Sequence, residues 1–124
     1  MRSITKKFLD AVVATTTSDP FNIEGVIKIS LQLIASAITS GNGVFLVEVS
    51  NDNVNWIQFN KMIDNVANTN AQNLTRVASA TLSSNSNKVY TLNFQEDPYK
   101  YMRVKVTRTT DGTYSVISQV LFAH

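Results

Sequence analysis

Over residues 26–35 apolar and polar side chains alternate one by one. Ile27, Ile29, Leu31 and Leu33 fall on one side, and Lys28, Ser30 and Gln32 on the other. A period of two is the period of a strand, whose successive side chains point to opposite faces, so this run predicts a half-buried strand. The pattern returns along the chain. Residues 44–49 set Phe45, Val47 and Val49 against Leu46 and Glu48, and residues 89–94 set Tyr90, Leu92 and Phe94 against Thr91 and Asn93. Residues 99–109 set Met102, Val104 and Val106 against Tyr101, Arg103, Lys105 and Thr107, and residues 114–122 put Tyr114, Val116, Val120 and Phe122 on one face. Chains built from such runs bury one face of each strand, and sheets packed face to face are the architecture that does so.

Between the runs stand residues that turn a chain. Ser40-Gly41-Asn42-Gly43 predicts a hairpin joining the strand before it to the strand at residue 44, and Thr110-Asp111-Gly112-Thr113 predicts a hairpin between the last two strands. Asn51-Asp52-Asn53 is turn chemistry, because short Asx side chains bond nearby backbone and tolerate left-handed dihedrals. Pro98 breaks the strand before it. Residues 60–73 are polar and rich in asparagine, which predicts a long loop, and a weak alternation predicts a strand over residues 74–82. Residues 5–14 admit two readings, a strand or a helix, since Phe8, Leu9, Val12 and Val13 also fit a helical stripe. The expected architecture is all-β, an antiparallel β-sandwich of about 7–9 strands forming a single domain over residues 1–124. Its expected core holds Phe45, Val47, Val49, Trp56, Phe94, Val104, Val106 and Val116. A core Trp56 predicts that Trp56→Ala costs about 3–5 kcal/mol.

Composition removes several function classes. There is no cysteine, which excludes disulfides, zinc-thiolate centres and cysteine nucleophiles, and a reducing cytoplasm suits the chain. No apolar run approaches the roughly 18–20 residues of a spanning helix, and the N-terminus lacks a signal-peptide core, so no membrane partner is expected. The net charge is +2 and the basic residues are dispersed, which argues against nucleic acid as a partner. The amide and acid cluster around Asp52 fails the EF-hand pattern, with Trp56 where that loop needs glycine and Met62 where it needs the bidentate glutamate. The single histidine, His124, is the terminal residue, a poor place for a fixed triad. No catalytic residue, metal ligand or cofactor site is therefore assigned. The candidate contact surface is the basic and aromatic set Tyr99, Tyr101, Arg103, Lys105 and Arg108, able to stack on rings and pair with anions. Tyr99, Tyr101 or Tyr114 would be the stacking residue if the ligand were a glycan.

Val47-Glu48-Val49-Ser50-Asn51-Asp52-Asn53-Val54-Asn55-Trp56, followed by Tyr99-Lys100-Tyr101-Met102-Arg103-Val104-Lys105-Val106-Thr107, resembles a motif pair found in two settings. One is the discoidin-like jelly roll. The other, a closer match covering residues 26–109, is a set of small β-sandwich structural proteins of tailed bacteriophages. Asn53 stands where both usually carry glycine. The resemblance implies a jelly-roll sandwich in which the first motif is a β-arch aiming Trp56 into the core. The phage likeness implies a non-enzymatic virion component, capsid-decorating, head-fibre or tail-associated. Such a protein is made in the host cytoplasm, contacts major capsid or tail proteins, and self-associates, with a trimer favoured. The discoidin likeness implies the alternative, a carbohydrate-binding adhesion module.

Overall fold

A computed structural model describes residues 1–64 and 75–124. Among these residues twelve strands follow in order: β1 (Arg2–Val12), β2 (Thr16–Thr17), β3 (Phe21–Asn22), β4 (Val26–Ser36), β5 (Asn42–Ser50), β6 (Ile57–Gln58), β7 (Met62–Asp64), β8 (Arg76–Val77), β9 (Ala80–Leu82), β10 (Ser86–Asn93), β11 (Tyr101–Thr109) and β12 (Thr113–Phe122). Among the described residues there is no helix. One sheet has the order β1-β12-β4-β10-β7-β8; the other has the order β2-β11-β5-β6, with β3 also on β11 and β9 also on β5. The first strand lies beside the last, and strands from early and late in the chain interleave in both sheets, which is jelly-roll topology. The strand count exceeds the expected 7–9 because β2, β3, β6, β7, β8 and β9 have only two or three residues each, too few to show a period.

Residues 5–14 fall mostly in β1, so the helical reading is wrong. A helical stripe would have needed Phe8, Leu9, Val12 and Val13 buried together, whereas Val13 is exposed and β1 pairs with β12 from Arg2 opposite Phe122. The expected strand over 74–82 divides into β8 in one sheet and β9 in the other, and residue 74 lies outside the described residues. Most of the expected loop over 60–73 falls on 65–74, also outside them.

Both expected hairpins are corrected. β4 and β5 belong to different sheets, as do β11 and β12, so each connection crosses from one sheet to the other as an arch. A two-residue type I′ hairpin needs positive φ at two adjacent residues. Here the positive φ values are at Thr110 (71°) and Gly112 (110°), with Asp111 between them. The two arches are then tied together. The Asp111 carboxylate accepts the Gly41 N–H at 2.9 Å and the Ser40 N–H at 3.1 Å, with a longer contact from Thr39. A Cβ on Gly41 would lie 2.1 Å from the Thr109 carbonyl oxygen, so only glycine allows the approach. Beneath the pair sits Tyr114, fully buried, its hydroxyl donating to the Asp111 carbonyl at 2.9 Å and its ring edge-on to Phe45.

The core is one continuous cluster between the sheets. Ile29, Leu31, Leu33, Val116, Val120, Tyr90 and Leu92 come from one side, and Phe45, Val47, Val49, Met102, Val104 and Val106 from the other. Phe94 closes one end against Phe59, with ring centroids 5.4 Å apart. Trp56 is the correction: it is absent from the core cluster and lies partly exposed. β5 and β6 pair in one sheet, Glu48 opposite Gln58 and Val49 opposite Ile57, so the connection between them is a hairpin and not an arch. Trp56 stays on the outer side, with the Arg103 guanidinium 4.1 Å from its ring centroid, and Phe59 is the aromatic that turns inward.

Candidate functional site

The register of β11 on β5 places Arg103 opposite Glu48, Lys105 opposite Leu46 and Tyr101 opposite Ser50, on the face turned away from the core. Arg103 Nε donates to Glu48 Oε1 at 2.8 Å, and the same guanidinium covers one side of Trp56. Lys100 Nζ lies 5.6 Å from the Tyr101 ring centroid and 3.9 Å from Glu24 Oε1. Of the expected contact surface, Tyr101, Arg103 and Lys105 share this face. Arg108 does not join them: its Nε donates to the Gly112 carbonyl at 2.9 Å, which commits it to the arch at the far end of β11. Tyr99 precedes the strand and packs edge-on against Phe59, ring centroids 6.2 Å apart. Tyr114, considered for glycan stacking, is fully buried and cannot meet a ligand.

The β5–β6 hairpin is closed by a turn that Asp52 holds. Ser50 Oγ donates to Asp52 Oδ1 at 2.9 Å and accepts the Asn53 N–H at 2.9 Å. Asp52 Oδ1 also accepts the N–H groups of Val54 (2.9 Å) and Asn55 (2.8 Å), and Oδ2 accepts Asn55 Nδ2 at 2.7 Å. Asn53 takes φ 61°, the left-handed conformation that lets Asn stand in for glycine. The Asn55 backbone N–H, then the Asn55 side chain, the Val54 N–H and the Ser50 hydroxyl stabilise the carboxylate and hold Asp52 far below the usual carboxylate range.

Beside this turn runs an open groove of about 310 Å³, lined by Val49, Ser50, Asn51, Asp52, Asn55, Ile57 and Tyr99. Ile57 is 58% exposed and Val54, on the turn, 76%. Sequence reasoning placed Tyr99 on the contact surface, singled out the amides and acid around Asp52 only as turn chemistry and a failed calcium pattern, and missed Ile57. The available signal was two aliphatic residues, Val54 and Ile57, flanking Trp56 in a segment otherwise made of turn residues. A second hollow, of about 300 Å³, lies on the outer face of the other sheet between Lys28, Ser30, Thr91, Gln119 and Leu121. Among the described residues no group of three or more His, Asp or Glu side chains converges where a metal ion could be held.

No family model matches the sequence, and no curated protein matches it. Among solved structures, the SPBc2 prophage-derived protein YomS is similar in fold, with a TM-score of 0.67 at 13% identity, covering 96% of this chain and 92% of that one. The shared property is the fold. A structure of infectious bursal disease virus, Gx strain, is similar at a TM-score of 0.49 and 10% identity over 98% of this chain and 33% of its own. The sandwich is thus a fold also found in a prophage-derived protein.

Proposed function

We propose that the chain is a non-enzymatic structural component of a tailed-phage virion, forming or decorating the capsid or tail surface. The observation that carries this reading is the agreement in fold with a prophage-derived protein over nearly the full length of both chains. The motif pair at residues 47–56 and 99–107 supports it independently, because it resembles small sandwich proteins of tailed phages. The chain would be made in the host cytoplasm and end in the virion. Its partners would be copies of itself and major capsid or tail proteins, since parts on a symmetric lattice act as multiples. A trimer is the favoured assembly, and the 124 residues would act as one folding unit on their single core. Mass spectrometry of purified virions, with light scattering of the recombinant chain, tests the reading. Stoichiometric presence in the particle and a defined oligomer are expected; absence from particles together with a strict monomer at high micromolar concentration would overturn it.

A further inference from the structure

We propose that the groove beside the turn over residues 50–55 binds a neutral, hydroxyl-rich ligand, a saccharide of one or two residues. Its volume of about 310 Å³ lies at the small end of the range for ligand sites and matches a short ligand. The walls are of two kinds. Ile57 and the Tyr99 ring offer apolar surface, and the turn offers amide and hydroxyl groups. A sugar ring has the same division, with C–H faces and a polar rim.

The hydrogen-bonding groups left over in the groove favour hydroxyls. Asn51 uses its Oδ1 to accept the Lys100 N–H at 3.1 Å, which fixes the carboxamide and, among the described residues, leaves its N–H donors uncommitted. Asn55 gives its Nδ2 to Asp52 at 2.7 Å, which leaves its Oδ1 as an acceptor. Among the described residues the Tyr99 hydroxyl makes no hydrogen bond to protein and can both donate and accept; its charged neighbour is Lys61, which is paired with Asp97. A fixed donor, a fixed acceptor and an amphoteric hydroxyl belong to side chains lining one groove, and two of the three are already oriented by internal bonds, which lowers the cost of binding.

Charge decides against ionic ligands. The neighbouring cations already face carboxylates, Arg103 with Glu48 at 2.8 Å, Lys61 with Asp97 at 2.9 Å and Lys100 more loosely with Glu24 at 3.9 Å, so an anionic group would have to compete with these pairs. Asp52 is the one acidic residue lining the groove, and its oxygens already accept two backbone N–H groups, an amide and a hydroxyl. A cation would have to displace these bonds and open the turn.

Trp56 lies between two groove residues, Asn55 and Ile57, and as the sole tryptophan it reports on the site. The test is a glycan array probed with the full chain. Titration with the best neutral glycan then follows, beside its sialylated counterpart and inorganic phosphate, read by Trp56 fluorescence. A saturable change with a neutral saccharide is expected. Tyr99→Phe, which removes only the hydroxyl, should weaken it about three- to tenfold. Ile57→Ala should weaken it as well, both variants melting like the parent, while Lys105→Ala, outside the groove, leaves affinity unchanged. The proposal is overturned if no neutral glycan binds, if phosphate or the sialylated sugar binds more tightly, or if affinity survives both groove substitutions. A failed array with the chain present in purified virions would remove the groove proposal and leave the structural role standing.

Discussion

Trp56 and Tyr114 show how position outweighs residue type. Trp56 carries the largest apolar side chain in the protein, yet it stacks under Arg103 on an outer face, so its removal loses partial burial and one cation–π contact. Trp56→Ala should cost about 1 kcal/mol, well short of a core aromatic. Phe45→Ala, at a site 1% exposed, should cost about 3–5 kcal/mol; parallel urea titrations of the two variants would show the contrast, and equal losses would contradict the placement of Trp56. The two aspartates differ in another way. Asp111 is held below its ordinary value of 3.8, first by the Ser40 N–H; burial opposes this, and the N–H groups of Gly41 and Thr39 and the Arg108 charge add to the lowering. A depressed folded value means that its contribution is complete above the ordinary value and is lost as pH falls through the lower one. Melting temperature should therefore decline below about pH 4, and Asp111→Asn should lower the neutral-pH melting temperature while reducing the acid-side slope. An unchanged slope in the variant would place the acid sensitivity elsewhere, with Asp52 the first alternative.

At the scale of elements, the two arches act as one closure. Asp111 on one arch caps the backbone of the other, and Gly41 lets the two chains approach within contact of the Thr109 carbonyl. Gly41→Ala must push that carbonyl away, a backbone displacement expected to cost about 1–3 kcal/mol. Gly25 is a useful comparison: no atom lies within 4 Å of a Cβ there, though its φ of 79° still disfavours a side chain. Gly25→Ala should cost about 1 kcal/mol, and a ranking of Gly25 above Gly41 in thermal melts would contradict the latch. The β5–β6 hairpin is stitched within itself by Asp52, which explains how a two-residue β6 keeps its register.

For the whole molecule, the pairing of β1 with β12 sets the folding problem. Arg2 lies opposite Phe122, so the chain ends must meet before the six-stranded sheet is complete. Sandwiches dominated by such distant pairings refold in roughly milliseconds to seconds, and stopped-flow refolding should fall in that range, with equilibrium unfolding as one cooperative transition over a single core. Deleting residues 1–12 should expose the edge of β12 and the flank of Phe21, giving a chain that aggregates. A soluble truncation with the parent melting temperature would show that β1 is dispensable.

The sandwich was legible because burial in a sheet leaves a two-residue trace in sequence, and the long strands β4, β5, β10, β11 and β12 all carry it. Asn53 in a left-handed turn was legible for a related reason, since few side chains tolerate that backbone. What sequence could not decide was which strands are neighbours. A Gly-rich or Asp-Gly turn reverses a chain whether it stays in one sheet or crosses to the other, and the choice depends on contacts such as Asp111 with residues 39–41 that join distant segments. The same reasoning covers Trp56 and the groove. An aromatic after a turn has two faces to choose between, and only the register of β6 on β5 and of Arg103 beside Glu48 turned this one outward. Local patterning determined the strands; long-range pairing decided the arches, the outward tryptophan and the groove beside it.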